Sequence, residues 1–308
     1  MQNTKIQDQE GFKSVYFKIA DIIMELVVPF QVEITSCLPS FRNFIVKDIQ
    51  EPPLIKTKLS FSLPPENKKI TKLLSDVSIV WGDRFLFEES SEHYIVSVQS
   101  ENKDRRGTKM YSKKDFKESV IYMEEAELSV TSILSWVLMV AFGQAIIPYK
   151  AVLFHASVVV QGDKAYAFLG KSGTGKSTHS RLWIEYLEGV KLLNDDNPIV
   201  RIMEDGKIMI FGTPWSGKTP CYRNMRVELQ ALVRLSQASE NKWKNVEGKE
   251  ALVSVLPSCT AIRWNRFLFN QMVDSLEEII RKVRVGQLLC LPDKDAAYLC
   301  SQKIINNK

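Results

Sequence analysis

The run Ala165-Tyr166-Ala167-Phe168-Leu169 followed by Gly170-Lys171-Ser172-Gly173-Thr174-Gly175-Lys176-Ser177 decides how the second half of this chain is read. The second part fits the pattern G-x-x-x-x-G-K-[ST] without a mismatch. The apolar run before it suits a strand. Thr178–Glu188 after it suits a helix, with Leu182, Trp183, Tyr186 and Leu187 on one side and Arg181, Glu185 and Glu188 on the other. Strand, glycine-rich loop and helix in that order make a phosphate-binding loop. The glycines let the backbone curl until successive N–H groups point at phosphate oxygens, and the helix start adds its positive end. In such a loop Lys176 reaches the β- and γ-phosphates and the Ser177 hydroxyl ligates Mg2+. The expected nucleotide-binding set is Gly170, Lys171, Ser172, Gly173, Thr174, Gly175, Lys176, Ser177 and Thr178, with ATP and Mg2+ as the implied ligands.

Downstream, the short apolar run Val190–Leu193 ends in Asn194-Asp195-Asp196-Asn197-Pro198. The distance from Lys176 to Asp195 leaves room for one helix and one strand, so the acids belong to the strand immediately after the loop helix. Two adjacent carboxylates beside a phosphate loop can divide the work. One holds the metal and the other accepts a proton from an attacking hydroxyl. Upstream, Ala151–Val160, Gly162-Asp163 and Ala165–Leu169 read as an antiparallel hairpin leading into the loop.

Together, HASVVV (155–160), FLGKSGTGKSTHS (168–180) and LLNDDNP (192–198) resemble the catalytic domain of HPr kinase/phosphorylase. The loop is also similar to the kinase loop of ATP-dependent phosphoenolpyruvate carboxykinase, which shares that core. The match covers residues 154–201 well and the rest of the C-terminal half loosely. It implies a P-loop kinase core of this type with a mixed sheet. It also implies catalytic roles for His155, Lys176, Asp195 and Asp196, with one acid as general base, and metal ligation by Ser177 and Asp195. By its setting in Leu-Phe-His-Ala-Ser, His155 reads equally well as a core histidine. Thr178 stands where that family often has an acidic residue, and Asn197-Pro198 departs from its usual sequence. Neither HPr as substrate nor phosphorylase activity is therefore carried over. Decarboxylation is not expected either. His179 is expected behind the site or at the surface.

A second loop, Phe211–Pro220, combines two glycines, two prolines and Lys218, with Arg223 and Arg226 just beyond. Lys218 or Arg223 can meet the γ-phosphate or position the acceptor; a structural turn with scattered cations is the equal alternative.

Working outward, the fold class is α/β (α+β). A mostly β N-terminal domain is expected over 1–125 and the nucleotide-binding domain over 126–308. Strands are expected at Tyr16–Ala20, Gln31–Thr35, Ser78–Trp81, Phe85–Glu88 and His93–Gln99, separated by turn residues. After Met123 one long helix is expected over Glu124–Ile146, with acids in its first turn. Helices are also expected at Ser275–Val283 and Pro292–Ile305, the latter capped by Asp293. The 308 residues are 45% hydrophobic and 25% charged, with 41 Lys+Arg against 36 Asp+Glu. This excludes a disordered or low-complexity chain and gives no basic footprint for nucleic acid or membrane. The five cysteines form neither zinc spacing nor a disulfide framework, so a reducing cytoplasm is expected.

These readings describe an ATP-dependent kinase acting on a hydroxyl of a protein, peptide or small molecule, with a homo-oligomer allowed. The competing reading is a catalytically silent ATP-binding module that docks a partner through residues 1–125. A GTP switch is disfavoured because no Asn-Lys-x-Asp tetrad is found.

Overall fold

The computed structural model of the chain describes residues 11–65, 72–78, 84–99, 107–128, 132–217, 219–260 and 262–305. It is a mixed α/β structure that divides into two compact units, Met1–Ala145 and Ile146–Lys308.

The first unit is built on β1 (Phe12–Ile19), β2 (Ile22–Pro29), β3 (Ile45–Val46), β4 (Ile55–Ser60), β5 (Lys72–Ser78), β6 (Arg84–Glu89), β7 (His93–Gln99), β8 (Thr108–Lys113) and β9 (Glu118–Tyr122). They form one sheet in the order β3-β1-β2-β4-β9-β8-β7-β6-β5. Neighbours are antiparallel except that β4 runs parallel to both β2 and β9. Gln31–Thr35 is not a strand. Its end enters the one-turn helix α1 (Ile34–Cys37), where the Glu33 carboxylate accepts from the Thr35 hydroxyl at 2.9 Å. The strand before it is β2, an almost wholly buried run. The expected strand Ser78–Trp81 contributes Ser78 to the end of β5, and its remainder lies outside the described residues.

The expected single helix after Met123 is also broken. Glu125–Glu127 makes a short 3-10 turn, and α2 begins only at Ile133 and ends at Ala145. Its residues are buried nearly all round, and it packs on β4 and β8. This is why it groups with the first unit, whereas the sequence reading placed it after a boundary at 125. No helix among the described residues is long and apolar enough to cross a membrane.

The second unit contains β10 (Ala151–Leu153), β11 (Ala156–Gln161), β12 (Lys164–Leu169), β13 (Val190–Asn194), β14 (Ile199–Ile202), β15 (Ile208–Phe211), β16 (Arg226–Gln237), β17 (Lys242–Asn245) and β18 (Arg284–Cys290). Its helices are α3 (Lys176–Tyr186), α4 (Gly248–Val255), α5 (Arg266–Lys282) and α6 (Lys294–Ile305). The sheet order is β10-β14-β15-β16-β12-β11-β13, with β18 parallel to β16 and β17 antiparallel to β18. β12 is antiparallel to β11 and parallel to β16, so the sheet is mixed. The expected hairpin is present as β11–β12, from Ala156↔Leu169 to Gln161↔Lys164.

One feature of this sheet positions the site. Residues 151–161 and 190–202 form an antiparallel ribbon whose ladder pairs Leu153 with Ile199 on one flank and Val158 with Asn194 on the other. Between the flanks it is carried only by Phe154 N–H to the Pro198 carbonyl and Ala156 N–H to the Asp196 carbonyl, each 2.9 Å. His155 faces this irregular segment from one strand and Asp195–Pro198 from the other. Pro198 has no N–H to give a ladder, and the Asn194 side chain accepts from the Asp196 N–H at 3.0 Å, turning the chain there.

α3 packs on β11–β13 and against α6, which itself lies on β17 and β18. Trp183 of α3 is fully buried among Val159, Tyr166, Phe168 and Val233. Burying a side chain of this kind contributes about 3 kcal/mol. α6 is capped as expected: the Asp293 carboxylate accepts from the Ala296 N–H at 2.9 Å. The expected helix Ser275–Val283 is the end of the longer α5.

Candidate active site

The loop Gly170–Gly175 joins the end of β12 to the start of α3. Gly173 (φ 81°) and Gly175 (φ 97°) occupy left-handed backbone conformations that side-chain-bearing residues rarely adopt. The loop's carbonyls are engaged on the protein side. Lys176 Nζ donates to the Gly170 carbonyl at 3.1 Å and the Lys171 carbonyl at 3.3 Å, and Gln237 Nε2 donates to the Gly173 carbonyl at 3.3 Å. Thr174 donates its hydroxyl to the Lys171 carbonyl at 2.8 Å. Lys171, Ser172 and Gly173 are exposed, while Thr174, Gly175, Ser177 and Thr178 are half-buried. Gly175 occupies the cap position of α3 with no side chain to block the N-terminal turn. A concave loop before an uncapped helix start fits an anion.

Lys176 is buried, and its ammonium also lies 2.8 Å from His155 Nε2. His155 Nδ1 lies 2.8 Å from Asp196 Oδ1. The ammonium can only donate, so Nε2 accepts and the ring proton sits on Nδ1, which donates to the carboxylate. Asp196, His155 and Lys176 thus form a continuous line from the acid pair to the glycine loop. Burial lowers the pKa of Lys176, and the nearby Asp196 and Asp195 charges oppose that shift. The second oxygen of Asp196 accepts from Asn197 Nδ2 at 2.8 Å.

Asp195 turns the other way and is buried. Its Oδ1 accepts from the Ser157 hydroxyl at 2.6 Å, and Ser157 Oγ lies 2.6 Å from Ser180 Oγ. Ser157 has one proton and gives it to the carboxylate, so Ser180 must donate to Ser157. Ser180 is one turn beyond Ser177 on α3, so Asp195 is tied to the face of the helix that carries Ser177. Both groups offer oxygen, which suits Mg2+. Among the described residues no cluster of three or more His, Cys, Asp or Glu could hold a metal ion by itself. A site of one carboxylate and one hydroxyl is of the kind completed by phosphate oxygens and water.

The second loop reaches the acids directly. The Asn197 N–H donates to the Trp215 carbonyl at 3.2 Å, and a Cβ placed on Gly217 would meet the Asp195 carbonyl at 3.1 Å. Lys218 lies outside the described residues. Arg223 is exposed and sits beside the buried Cys221, whose thiol donates to the Leu193 carbonyl at 3.3 Å. Burial raises the Cys221 pKa, with the nearby Arg223 charge opposing the shift and the Asp195 charge adding to it. His179 is not at the surface: it lies behind the loop, its N–H donating to the Gly175 carbonyl at 2.8 Å. It is 2% exposed, accepts from Trp183 Nε1 at 3.1 Å and stands edge-on to Phe168.

Sequence reasoning missed three contributors: the Ser157–Ser180 pair, Gln237, and the segment Ser258–Thr260. This segment flanks His155 through a 2.7 Å bond from the His155 N–H to the Ser258 carbonyl and a 2.8 Å bond from the Thr260 N–H to the Leu153 carbonyl. A cavity of about 850 Å³ lined by Asn245, Lys249, Glu277, Arg281 and Val285 lies at the start of β18, away from the loop beside the end of β16.

No family model matches the chain, and no curated protein does. Among solved structures, the chain is similar to the HPr(Ser) kinase/phosphatase from Coxiella burnetii. That likeness covers 50% of this chain and 94% of that one, at 14% identity and a TM-score of 0.30.

Proposed function

We propose that the second unit is an ATP-dependent kinase that transfers the γ-phosphoryl group to a hydroxyl acceptor. The observation that carries this reading is the hydrogen-bonded line Asp196–His155–Lys176, which ends inside the glycine loop. A bare nucleotide-docking loop needs the lysine but has no use for a carboxylate aligned with it through an imidazole.

In this reading the loop N–H groups and the start of α3 hold the phosphates of ATP, and Lys176 neutralises charge on the β- and γ-phosphates. Asp195 and Ser177 hold Mg2+, which when bound offsets phosphate charge. Asp196, the more open of the two acids, accepts the proton of the attacking hydroxyl. His155 orients Asp196 by donating to one of its oxygens, as Asn197 does to the other. Arg223 and the Trp215–Gly217 turn border the place where the acceptor enters. Positioning and electrostatics supply most of the rate in such transfers, and the base contributes about 10²- to 10⁴-fold.

The experiment is ATP binding and turnover for the native chain, Lys176→Ala and Asp196→Asn. Lys176→Ala should lose nucleotide binding and turnover together. Asp196→Asn should keep binding and lose turnover. Native turnover in both variants would end the proposal, and tight binding without turnover of any acceptor would favour the silent module instead.

A further inference from the structure

We propose that the hydroxyl acceptor lies on an acidic peptide segment, held by Arg223 on the acid-pair side of the site and by Arg263 and Arg266 on the His155 side. This rests on the kinase reading above and names the substrate class for the same site.

Two stretches of chain border the acid pair and His155, and neither contains a carboxylate. From Phe211 to Val227 there is no Asp or Glu, and from Ala251 to Val273 there is none. The first stretch touches Asp195 and Asn197 through Gly217 and Trp215. Its Arg223 backbone lies against Gly212, whose own neighbour is Leu193 of β13. The second stretch is pinned to His155 and Leu153 through Ser258 and Thr260, and Phe154 bridges Cys259. It then runs into Arg263, Trp264, Asn265 and Arg266.

Arg223, Arg263 and Arg266 are all exposed. The next carboxylate along the second stretch is Asp274, eight residues and about 12 Å further along α5. Arg266 is the first residue of α5, which has no acid in its first turn. A cation there opposes the helix dipole, whereas the last turn of α5 carries Arg281 and Lys282 as the dipole prefers.

The chemistry favours a peptide over a small anion. The cations come from two separate stretches, so a ligand meeting both must extend across the acid pair. Exposed apolar side chains accompany them, Met225 at 41% and Phe267 at 69% exposure, and a peptide can cover these where a phosphate cannot. A basic peptide would add repulsion at both flanks. With Asp195 and Asp196 occupied by metal and base duties, the flanking charge, not the centre, selects the partner.

The test uses three synthetic peptides with one central serine flanked by glutamate, glutamine or lysine. Binding is followed by fluorescence anisotropy with the full chain holding a non-hydrolysable ATP analogue and Mg2+, and transfer is followed with labelled ATP. The glutamate peptide should bind about tenfold or more tightly than the glutamine peptide, and rising salt should erase the difference. Arg263→Glu with Arg266→Glu should abolish that preference and gain the lysine peptide, while analogue binding stays unchanged. Equal binding of all three peptides, or binding of none by the nucleotide-loaded chain, overturns the proposal and leaves the kinase reading standing. Preference for the glutamate peptide with no transfer retains the surface and overturns the kinase reading.

Discussion

His179 gives the second unit a defined acid sensitivity. Its ring is buried between Phe168 and Trp183 and accepts from Trp183 Nε1, so the neutral form is the one that fits. Burial lowers its pKa from 6.5 to about 4. Between those values the unfolded chain binds a proton that the folded chain refuses, so stability falls as pH falls. The difference is worth about 2 kcal/mol by pH 5 and about 3 kcal/mol by pH 4, at 1.36 kcal/mol for each unit of separation between the two pKa values. Above pH 6.5 the contribution is fully present. Because His179 lies in the first turn of α3, with its N–H on the Gly175 carbonyl, protonation disturbs the seat of the glycine loop as well as the core.

His179→Gln retains an oxygen for Trp183 Nε1 but cannot titrate. Urea denaturation at a series of pH values should show native stability falling more steeply than that of the variant from pH 7 to pH 4, by the amounts above. An NMR titration of the native imidazole should show no protonation of His179 above about pH 5. Parallel stability profiles, or an imidazole that protonates near its ordinary pKa, would refute the reasoning.

Asp196→Asn should keep nucleotide affinity and lower transfer by about 10²-fold or more, because the amide cannot take the proton of the attacking hydroxyl; single-turnover kinetics check this. Ser157→Ala should destabilise by about 2 kcal/mol, since it removes a donor to a buried carboxylate, and Ser180→Ala by about 1 kcal/mol. The double variant should cost less than the sum, as a denaturation cycle would show. Gly212→Ala should cost about 1–3 kcal/mol by overpacking, because its Cβ would stand 2.1 Å from the Arg223 carbonyl; thermal unfolding reads this directly.

The sequence made the loop legible because its pattern is local: each glycine and the lysine answer to their immediate neighbours. The Asp195–Asp196 pair was legible by spacing, since one helix and one strand fit between it and Lys176. Geometry brings His155 to these residues, which strand reading alone did not decide. The Ser157–Ser180 pair was invisible because two serines 23 residues apart carry no signal until β11 and α3 are packed. The same holds for the segment Ser258–Thr260, brought to His155 only by the bonds to the His155 N–H and the Leu153 carbonyl. For His179 the sequence left a place behind the loop or at the surface open; the enclosure by Phe168 and Trp183, set by packing across α3 and β12, decides for the first. In the first unit, β2 was passed over for Gln31–Thr35. A wholly buried strand lacks the alternation that marks a half-exposed one, and the β-branched residues of 31–35 mimicked a strand where Glu33 caps a helical turn.

The ribbon that places His155 opposite Asp196 also determines which changes of length the chain can absorb. The separation of these two groups is counted in residues from the paired flanks, Leu153 with Ile199 and Val158 with Asn194. Extra residues at the Gly162-Asp163 turn, or between α3 and β13, fall beyond the flanks and leave that count intact. One residue added between Phe154 and Ala156, or between Asp196 and Pro198, shifts one flank against the other. It would then present the wrong face of a strand to the acids. The ends of this ribbon are free to lengthen over time, whereas its middle can change side chains but not residue number.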